Sequence, residues 1–429
     1  MKYHLIGICG CSMSGLARIL KQQGHKISGC DINKCKINNL KINTGHSSSH
    51  ISKDLDGLII SAAITPASFA WSEVENAKKL NIPVISRAKI IGRMMQDKIG
   101  IAVSGMHGKT TVCAMISMIL EKVGYAPTFF IGGEIPQLGN SKYGKGQYLV
   151  AEACEWARQF LDLRPKITVI TNIEEEHLDT YPKGLPEIKR AFKKFVHLLP
   201  KNGLLILWQE DPLTPWLTKS AKCRVKTFSS KKTWPGLKLK IPGKHNILNA
   251  LAAARVCHEL KVPSNIIKET LNNFTGAKRR FEIKGEKKGV LVVDDYGHHP
   301  SEIKATLAGA RDSYQKKRII CIFQPHQFSR TKLLLSDFAK SFSNCDKLII
   351  APIFIVPGRD PDSCEKLKEQ LMQELIDKIK KAGQKDVEYF KNYDEIIKYL
   401  IKEVRNNDLV ITMGATKIYE VGEKLLNQL

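Results

Sequence analysis

A strand that runs into a glycine turn and straight into a helix constrains this chain more tightly than any other feature. In KIGIAVSGMHGKTTVCAMISMILEKVG (residues 98–124), the apolar run before Ser104 predicts a buried strand, and Lys109 onward predicts a helix that stops at Gly124. The turn between them aims backbone N–H groups and a helix N-terminus at one point, which favours a phosphate. Lys109 adds a point charge for the β- and γ-phosphates, and the Thr110 hydroxyl is a Mg²⁺ ligand type. The spacing is shorter than the usual Gly-x-x-x-x-Gly-Lys-Ser/Thr: Val103 stands where the first glycine belongs, and Gly105 gives Gly-x-x-Gly-Lys-Thr-Thr. The loop residues Gly105, Met106, His107, Gly108, Lys109, Thr110 and Thr111 are the expected nucleotide-binding set.

Strands alternate with helices along the rest of the chain, which predicts α/β architecture with parallel sheets. Three sections follow from the pattern: residues 1–96, an N-terminal Rossmann-like parallel sheet; residues 97–277, a central P-loop ATPase-like unit; and residues 278–429, a second Rossmann-like unit. With 429 residues, several domains are expected. No apolar run approaches the roughly 18 residues a membrane span needs. The start reads as strand, glycine loop and helix rather than a signal peptide. The formal charge is +25, but lysines come in pairs such as Lys78-Lys79 and Lys193-Lys194, so a solvated basic surface is favoured over a nucleic-acid footprint. Eleven cysteines, several in apolar runs, predict reduced buried thiols. The spacings Cys9-x-Cys11 and Cys30…Cys35 do not match a zinc motif.

A phosphate loop needs acidic partners. LVAEACEW puts Glu152 and Glu155 at the end of one predicted strand, and VITNIEEEHLDTY puts Asn172, Glu176, His177 and Asp179 at the end of another. In an open α/β sheet, ligands sit beyond the carboxyl ends of the strands, so both clusters should share the loop's rim. A second glycine turn, Gly7-x-Cys9-Gly10-x-Ser12…Gly15, with Asp31 ending the next strand, fits a damaged dinucleotide fingerprint. That leaves a nicotinamide-linked oxidoreductase as a rival reading, although it leaves Gly108-Lys109-Thr110 unexplained. A nucleic-acid-dependent ATPase would account for the charge.

SGMHGKTT resembles the G-T-x-G-K-T-T loop of the Mur ligases, which has the short spacing by nature. GICGCSMSGLA, GHSSSHI and SAAI resemble that family's N-terminal segments; TNIEEEHLDTY and GKHNILNALAA its middle segments; KRRFE, DDYGHHPSEI and FQPHQFSRT its last domain. The resemblance covers nearly the whole chain. It implies ATP-dependent ligation of L-alanine to the lactyl carboxylate of UDP-N-acetylmuramate, with Mg²⁺, in the cytoplasm. A tripeptide-adding recycling ligase is the nearest alternative.

By the same resemblance Lys109 and Thr110 would hold phosphates and Mg²⁺, Glu152 one Mg²⁺ and His177 the second. Asn249 would meet the adenine, and Arg280, Asp295 and His298 the nucleotide. Gly10, Ser12, His46 and Ser61 would meet the UDP-sugar, and His326 and Arg330 the muramate carboxylate and the amino acid. Lys109, Glu152, His177 and Arg280 form the expected catalytic set, with Glu155 secondary to Glu152. Cys9, Ser12, Cys154 and Glu176 depart from the family's usual residues, APIFIVPGRDPDS replaces its aspartate-tyrosine-proline stretch, and Phe192 stands where some relatives carry a carbamylated lysine, so no carbamate is expected.

Overall fold

The apolar, β-branched runs form the interiors of three sheets in the computed structural model, which describes residues 1–37, 39–231, 234–356, 360 and 363–429. The first sheet is wholly parallel, in the order Lys41–Thr44, Lys26–Asp31, Lys2–Ile6, Gly57–Ile60, Val84–Ser86. The second runs Arg224–Phe228, Leu204–Trp208, Ile167–Ile170, Ile99–Ser104, Tyr148–Glu152, Thr128–Phe130, Ser141–Lys142, with only the last pairing antiparallel. The third runs Glu282–Lys287, Val290–Asp295, Asp408–Met413, Arg318–Phe323, Lys347–Ile350, Val387–Tyr389, antiparallel only at its first pair. Central strands such as Ile99–Ser104 and Val290–Asp295 are buried along almost their whole length, as parallel strands covered on both faces must be.

The chain divides into two compact units, residues 1–239 with 247–274, and residues 240–246 with 275–429. The first two sections therefore pack as one body. Leu5, Leu16 and Ile59 of the first sheet region share a continuous core with Leu149, Ile170 and Phe195 of the second. Polar contacts close the seam: Arg18 Nη2 donates to Asn140 Oδ1 at 2.7 Å, and Ser86 Oγ to Asp162 Oδ2 at 2.6 Å. The helix Arg87–Gln96 begins at the end of the first sheet, capped by Ser86, and leads within two residues into the strand Ile99–Ser104. That short link leaves little room for the two sheets to separate.

One cysteine expectation is overturned. Cys9 and Cys35 form a disulfide, their Cα atoms 5.8 Å apart. The two segments also meet at Asp31, whose carboxylate accepts the N–H groups of both Cys9, at 3.0 Å, and Asn33, at 2.9 Å. It clamps the glycine turn to the segment after the second strand, which spacing along the chain does not reveal. The other nine cysteines are free thiols, as expected, and six of them are buried; Cys11 is exposed and Cys154 and Cys223 are partly exposed.

Candidate active site

The central strand Ile99–Ser104 lies between Tyr148–Glu152 and Ile167–Ile170, and all three run parallel. Their carboxyl ends therefore bring the phosphate loop, the Glu152–Glu155 segment and the Asn172–His177 segment to one rim. Gly105 and Gly108 have φ of +126° and +85°, a region side-chain-bearing residues avoid. A Cβ on Gly105 would overlap the Thr171 hydroxyl, and one on Gly108 would overlap the Asn249 side-chain oxygen. The loop is held from the neighbouring strand end: Asn172 Oδ1 accepts from His107 N at 3.0 Å, and Thr171 Oγ1 donates to His107 O at 2.6 Å. Gly108 caps the helix Lys109–Lys122, so the free helix N–H groups face the rim. Gly108→Ala is expected to weaken ATP binding at least tenfold in calorimetry, since a left-handed conformation costs an L-residue about 1–2 kcal/mol before the clash with Asn249 is counted. Unaltered affinity would remove the loop from the nucleotide site.

Lys109 Nζ donates to the carbonyls of Gly105 at 2.5 Å and Met106 at 3.0 Å, and to Glu155 Oε1 at 3.0 Å. Burial works against charge on both partners, but their attraction prevails: Lys109 is held above its ordinary range and Glu155 below its own. Glu155 Oε1 also accepts from His177 Nε2 at 3.1 Å. Its other oxygen, Oε2, is buried without a hydrogen-bond partner among the described residues. Glu155, Glu176 and His177 bring donor atoms within 4.8 Å of one another.

Here the geometry differs from the expectation that Glu155 is secondary. Glu155 sits in the charge network, whereas Glu152 Oε1 accepts from Gly132 N at 2.5 Å. The physical reason is the turn that follows. Tyr181 donates its hydroxyl proton to Glu155 O at 2.6 Å, Thr180 Oγ1 accepts from Ala157 N at 3.1 Å, and Trp156 Nε1 donates to Asp179 Oδ2 at 2.9 Å. These bonds hold Ala157 and Arg158 at φ of +50° and +55° and swing Glu155 inward. His177 itself has φ +55°, so unfavourable backbone is concentrated at this rim. The HLDTY segment was the available signal, but its target lies about twenty residues upstream.

Phe192 is fully buried, edge-on to Phe160 with ring centroids 5.2 Å apart. In the first sheet, Gly10 immediately precedes the helix Cys11–Gln22, Ser12 and Ser61 are partly exposed, and His46 Nδ1 contacts Glu73 Oε2 at 3.1 Å. Asp31, the dinucleotide-fold candidate, is occupied by Cys9 and Asn33 N–H groups.

In the second compact unit, Asp295 accepts from Gly297 N at 2.7 Å and Phe281 N at 2.9 Å, tying KRRFE to DDYGHHP. Arg280 Nη1 pairs with Glu302 Oε1 at 3.3 Å. Burial lowers the His298 imidazole to about 3, with Glu302 opposing. It is therefore neutral, and because its Nδ1 lies 3.1 Å from the Tyr296 carbonyl, Nδ1 carries the proton and Nε2 is an acceptor. His326 stacks on Phe354, ring centroids 5.6 Å apart, and near His298 at 5.9 Å. Arg330 Nη1 is buried with no hydrogen-bond partner among the described residues. Of APIFIVPGRDPDS, residues 357–359, 361 and 362 lie outside the described residues.

Residues 2–99 match the Mur ligase family catalytic domain, 103–235 the Mur ligase middle domain and 279–416 the Mur ligase glutamate ligase domain. A UDP-N-acetylmuramate–L-alanine ligase of Caldanaerobacter subterraneus subsp. tengcongensis is 42% identical, covering 100% of this chain and 97% of the relative. The chain belongs to the Mur ligase family. Among solved family structures, the UDP-N-acetylmuramate–alanine ligase of Thermotoga maritima superposes with a TM-score of 0.82 at 26% identity, covering 100% of this chain and 99% of that one. A murein peptide ligase from Psychrobacter arcticus gives 0.70 at 22% identity, covering 100% of this chain and 98% of that one, a likeness in fold alone.

Proposed function

We infer that this Mur ligase joins L-alanine to the lactyl carboxylate of UDP-N-acetylmuramate at the expense of ATP, through an acyl phosphate, as a step of peptidoglycan precursor synthesis. The observation that carries this reading is full-length identity of 42% to an L-alanine ligase, with the phosphate loop, acidic strand ends and His177 on one rim. It favours the L-alanine ligase over the tripeptide-adding alternative, whose support is likeness in fold. Phosphate release should require UDP-N-acetylmuramate and L-alanine together. Release with the tripeptide alone as co-substrate would move the assignment to recycling, and release stimulated by DNA or RNA would end the ligase reading.

The carboxylate oxygen attacks the γ-phosphorus and ADP leaves. The L-alanine amine then attacks the acyl carbon, an amide forms, phosphate leaves, and the amine proton passes to solvent or base. Such transfer depends on positioning and charge stabilisation. In this reading the loop N–H groups and Lys109 cradle the phosphates, and Asn249, which lies beside Gly108, is proposed to meet the adenine.

The orphaned buried Glu155 oxygen and the carboxylate and hydroxyl donors at this rim fit a divalent cation. Thr110, Glu152 and His177 are the residues proposed to hold Mg²⁺, which when bound spreads charge over the phosphate oxygens. Glu155 would orient His177 by accepting a hydrogen bond from its Nε2. Gly10, Ser12, His46 and Ser61 are proposed for the UDP-sugar, and Arg280, Asp295 and His298 for the nucleotide side of the second unit.

Within that unit His326 and Arg330 are proposed for substrate carboxylates, and the unsatisfied Arg330 guanidinium nitrogen supports this. Arg330→Ala should raise KM for L-alanine or UDP-N-acetylmuramate by roughly ten- to a hundredfold, since a hydrogen bond to a charged group contributes about 1.5–3 kcal/mol. Unchanged KM for both would take Arg330 out of the site. No helix among the described residues is long and apolar enough to cross a membrane, and we place the enzyme in the cytoplasm, with ATP and its nucleotide-sugar substrate. Neither a nucleic-acid nor a membrane partner is proposed.

A further inference from the structure

A second cluster of ligating groups lies in the first sheet, apart from the phosphate rim. His4 on Lys2–Ile6, Cys30 on Lys26–Asp31, His50 in the turn Ser48–His50 and Glu73 on Trp71–Lys79 each offer a donor atom, all within 4.8 Å of one another. Glu73 is fully buried at the centre. Its Oε1 meets His50 Nδ1 at 2.6 Å, and its Oε2 meets Cys30 Sγ at 3.2 Å and His46 Nδ1 at 3.1 Å. His4 is 1% exposed; its Nδ1 is bonded to Ser28 Oγ at 2.9 Å, while its Nε2 is buried with no hydrogen-bond partner among the described residues. A hydrogen-bonded network serving Glu73 alone would explain His46, His50 and Cys30. It does not explain a buried imidazole nitrogen left unsatisfied, which natural interiors avoid.

We propose that His4, Cys30, His50 and Glu73 form a site for a zinc-class divalent cation. Two imidazoles, a thiolate and a carboxylate are the mixed N, S and O donors that zinc accepts and that Mg²⁺ does not favour. Four protein ligands make a closed, structural site. With zinc bonds of about 2.0–2.3 Å, tetrahedral ligands stand roughly 3.3–3.7 Å apart. The 2.6 Å contact of His50 with Glu73 must open by about 0.7–1.1 Å and the 3.2 Å contact of Cys30 by a few tenths of an ångström, while separations near the 4.8 Å outer limit must close by about 1 Å or more. Ser28 on the Nδ1 of His4 is the outer partner that leaves Nε2 for the metal. On binding, the Cys30 S–H proton passes to solvent and a metal–sulfur bond forms. Thiolate and carboxylate then balance the two positive charges. The ion would tie the loop of residues 45–51 to two strands and a helix. The cysteine spacings missed it because Cys30 draws its partners from positions 4, 50 and 73.

The test uses the full chain, without a polyhistidine tag. After dialysis against Zn²⁺ and gel filtration, elemental analysis should find one zinc per chain. Co²⁺ titration of the metal-free protein should give tetrahedral visible bands and a thiolate-to-cobalt charge-transfer band. Cys30→Ser should abolish the charge-transfer band and His50→Gln should weaken Co²⁺ binding at least tenfold, with circular dichroism unchanged. Cys11→Ser, which alters an exposed thiol, should leave the band in place. If Cys30→Ser does not fold, the tenfold loss in His50→Gln decides. Substoichiometric zinc, a cobalt spectrum without thiolate character, a band that survives Cys30→Ser, or unaltered affinity in His50→Gln each overturns the proposal.

Discussion

Lys109→Met is expected to lower kcat by roughly a hundredfold to a thousandfold while ATP binding partly survives. The loop N–H groups and the N-terminus of Lys109–Lys122 remain to hold phosphate. What goes is the cation proposed to lie nearest the transferring phosphoryl group, and removing such a contact typically costs about 3–4 kcal/mol of transition-state stabilisation. The structure adds a second consequence. Lys109 Nζ is the cation paired with the fully buried Glu155 carboxylate, so the variant leaves that charge to His177 alone. Some of the loss should therefore appear as a lower Tm. Lys109→Arg should not rescue fully, because the ammonium sits between two loop carbonyls and one carboxylate oxygen, a pocket for a compact group rather than a planar fork. Single-turnover kinetics at saturating L-alanine separate the terms. Near-normal kcat in Lys109→Met would make SGMHGKTT a structural turn.

Glu155→Ala should remove at least as much activity as Glu152→Ala, the reverse of the order expected from sequence. Truncation leaves the mostly buried Lys109 ammonium without its carboxylate and releases His177 from the hydrogen bond that orients it. Breaking a buried pair by removing one partner costs about 3–5 kcal/mol. Both kcat and thermal stability should fall. Glu155→Gln, which keeps the shape and can still accept from His177, should recover stability more than turnover. Glu152→Ala, by contrast, loses a proposed metal ligand and the bond from Gly132, so its signature is a raised Mg²⁺ requirement with a smaller change in Tm. Mg²⁺ titrations of initial rate, run beside thermal melts, distinguish the two. A Glu155→Ala enzyme with wild-type turnover and Tm would show that the Lys109–Glu155–His177 network has no part in catalysis.

The interior of each sheet was readable from local sequence. YHLIGI, KIGIAVS, KITVITNI, GVLVVDD and DLVITMG are apolar runs bounded by glycine or polar turns, and each forms an interior strand. The strands that carry no such apolar run are Lys41–Thr44, Ser141–Lys142, Arg224–Phe228, Glu282–Lys287 and Val387–Tyr389, together with the three-residue Thr128–Phe130. All but the last lie at sheet edges. An edge strand has one neighbour and one wet side, so its residues are polar and its pairing is decided by the sheet it joins.

The same division runs through the sites. The phosphate loop was legible because strand, glycine turn, lysine and helix are consecutive, and the positive φ at positions 105 and 108 calls for glycine. The rim shared by the loop, Glu152 and His177 was legible as well, because parallel strands present their carboxyl ends together. What only the tertiary structure decided were the pairings between distant segments: Cys9 with Cys35 beside Asp31, Glu155 rather than Glu152 against Lys109 and His177, and Glu73 with His4, Cys30, His46 and His50. Residues close in sequence inherit their geometry from φ and ψ, which side-chain type constrains directly. Contacts across tens of residues depend on which strands become neighbours and where each turn swings its carboxylate, and those outcomes are set by the packing of the whole unit.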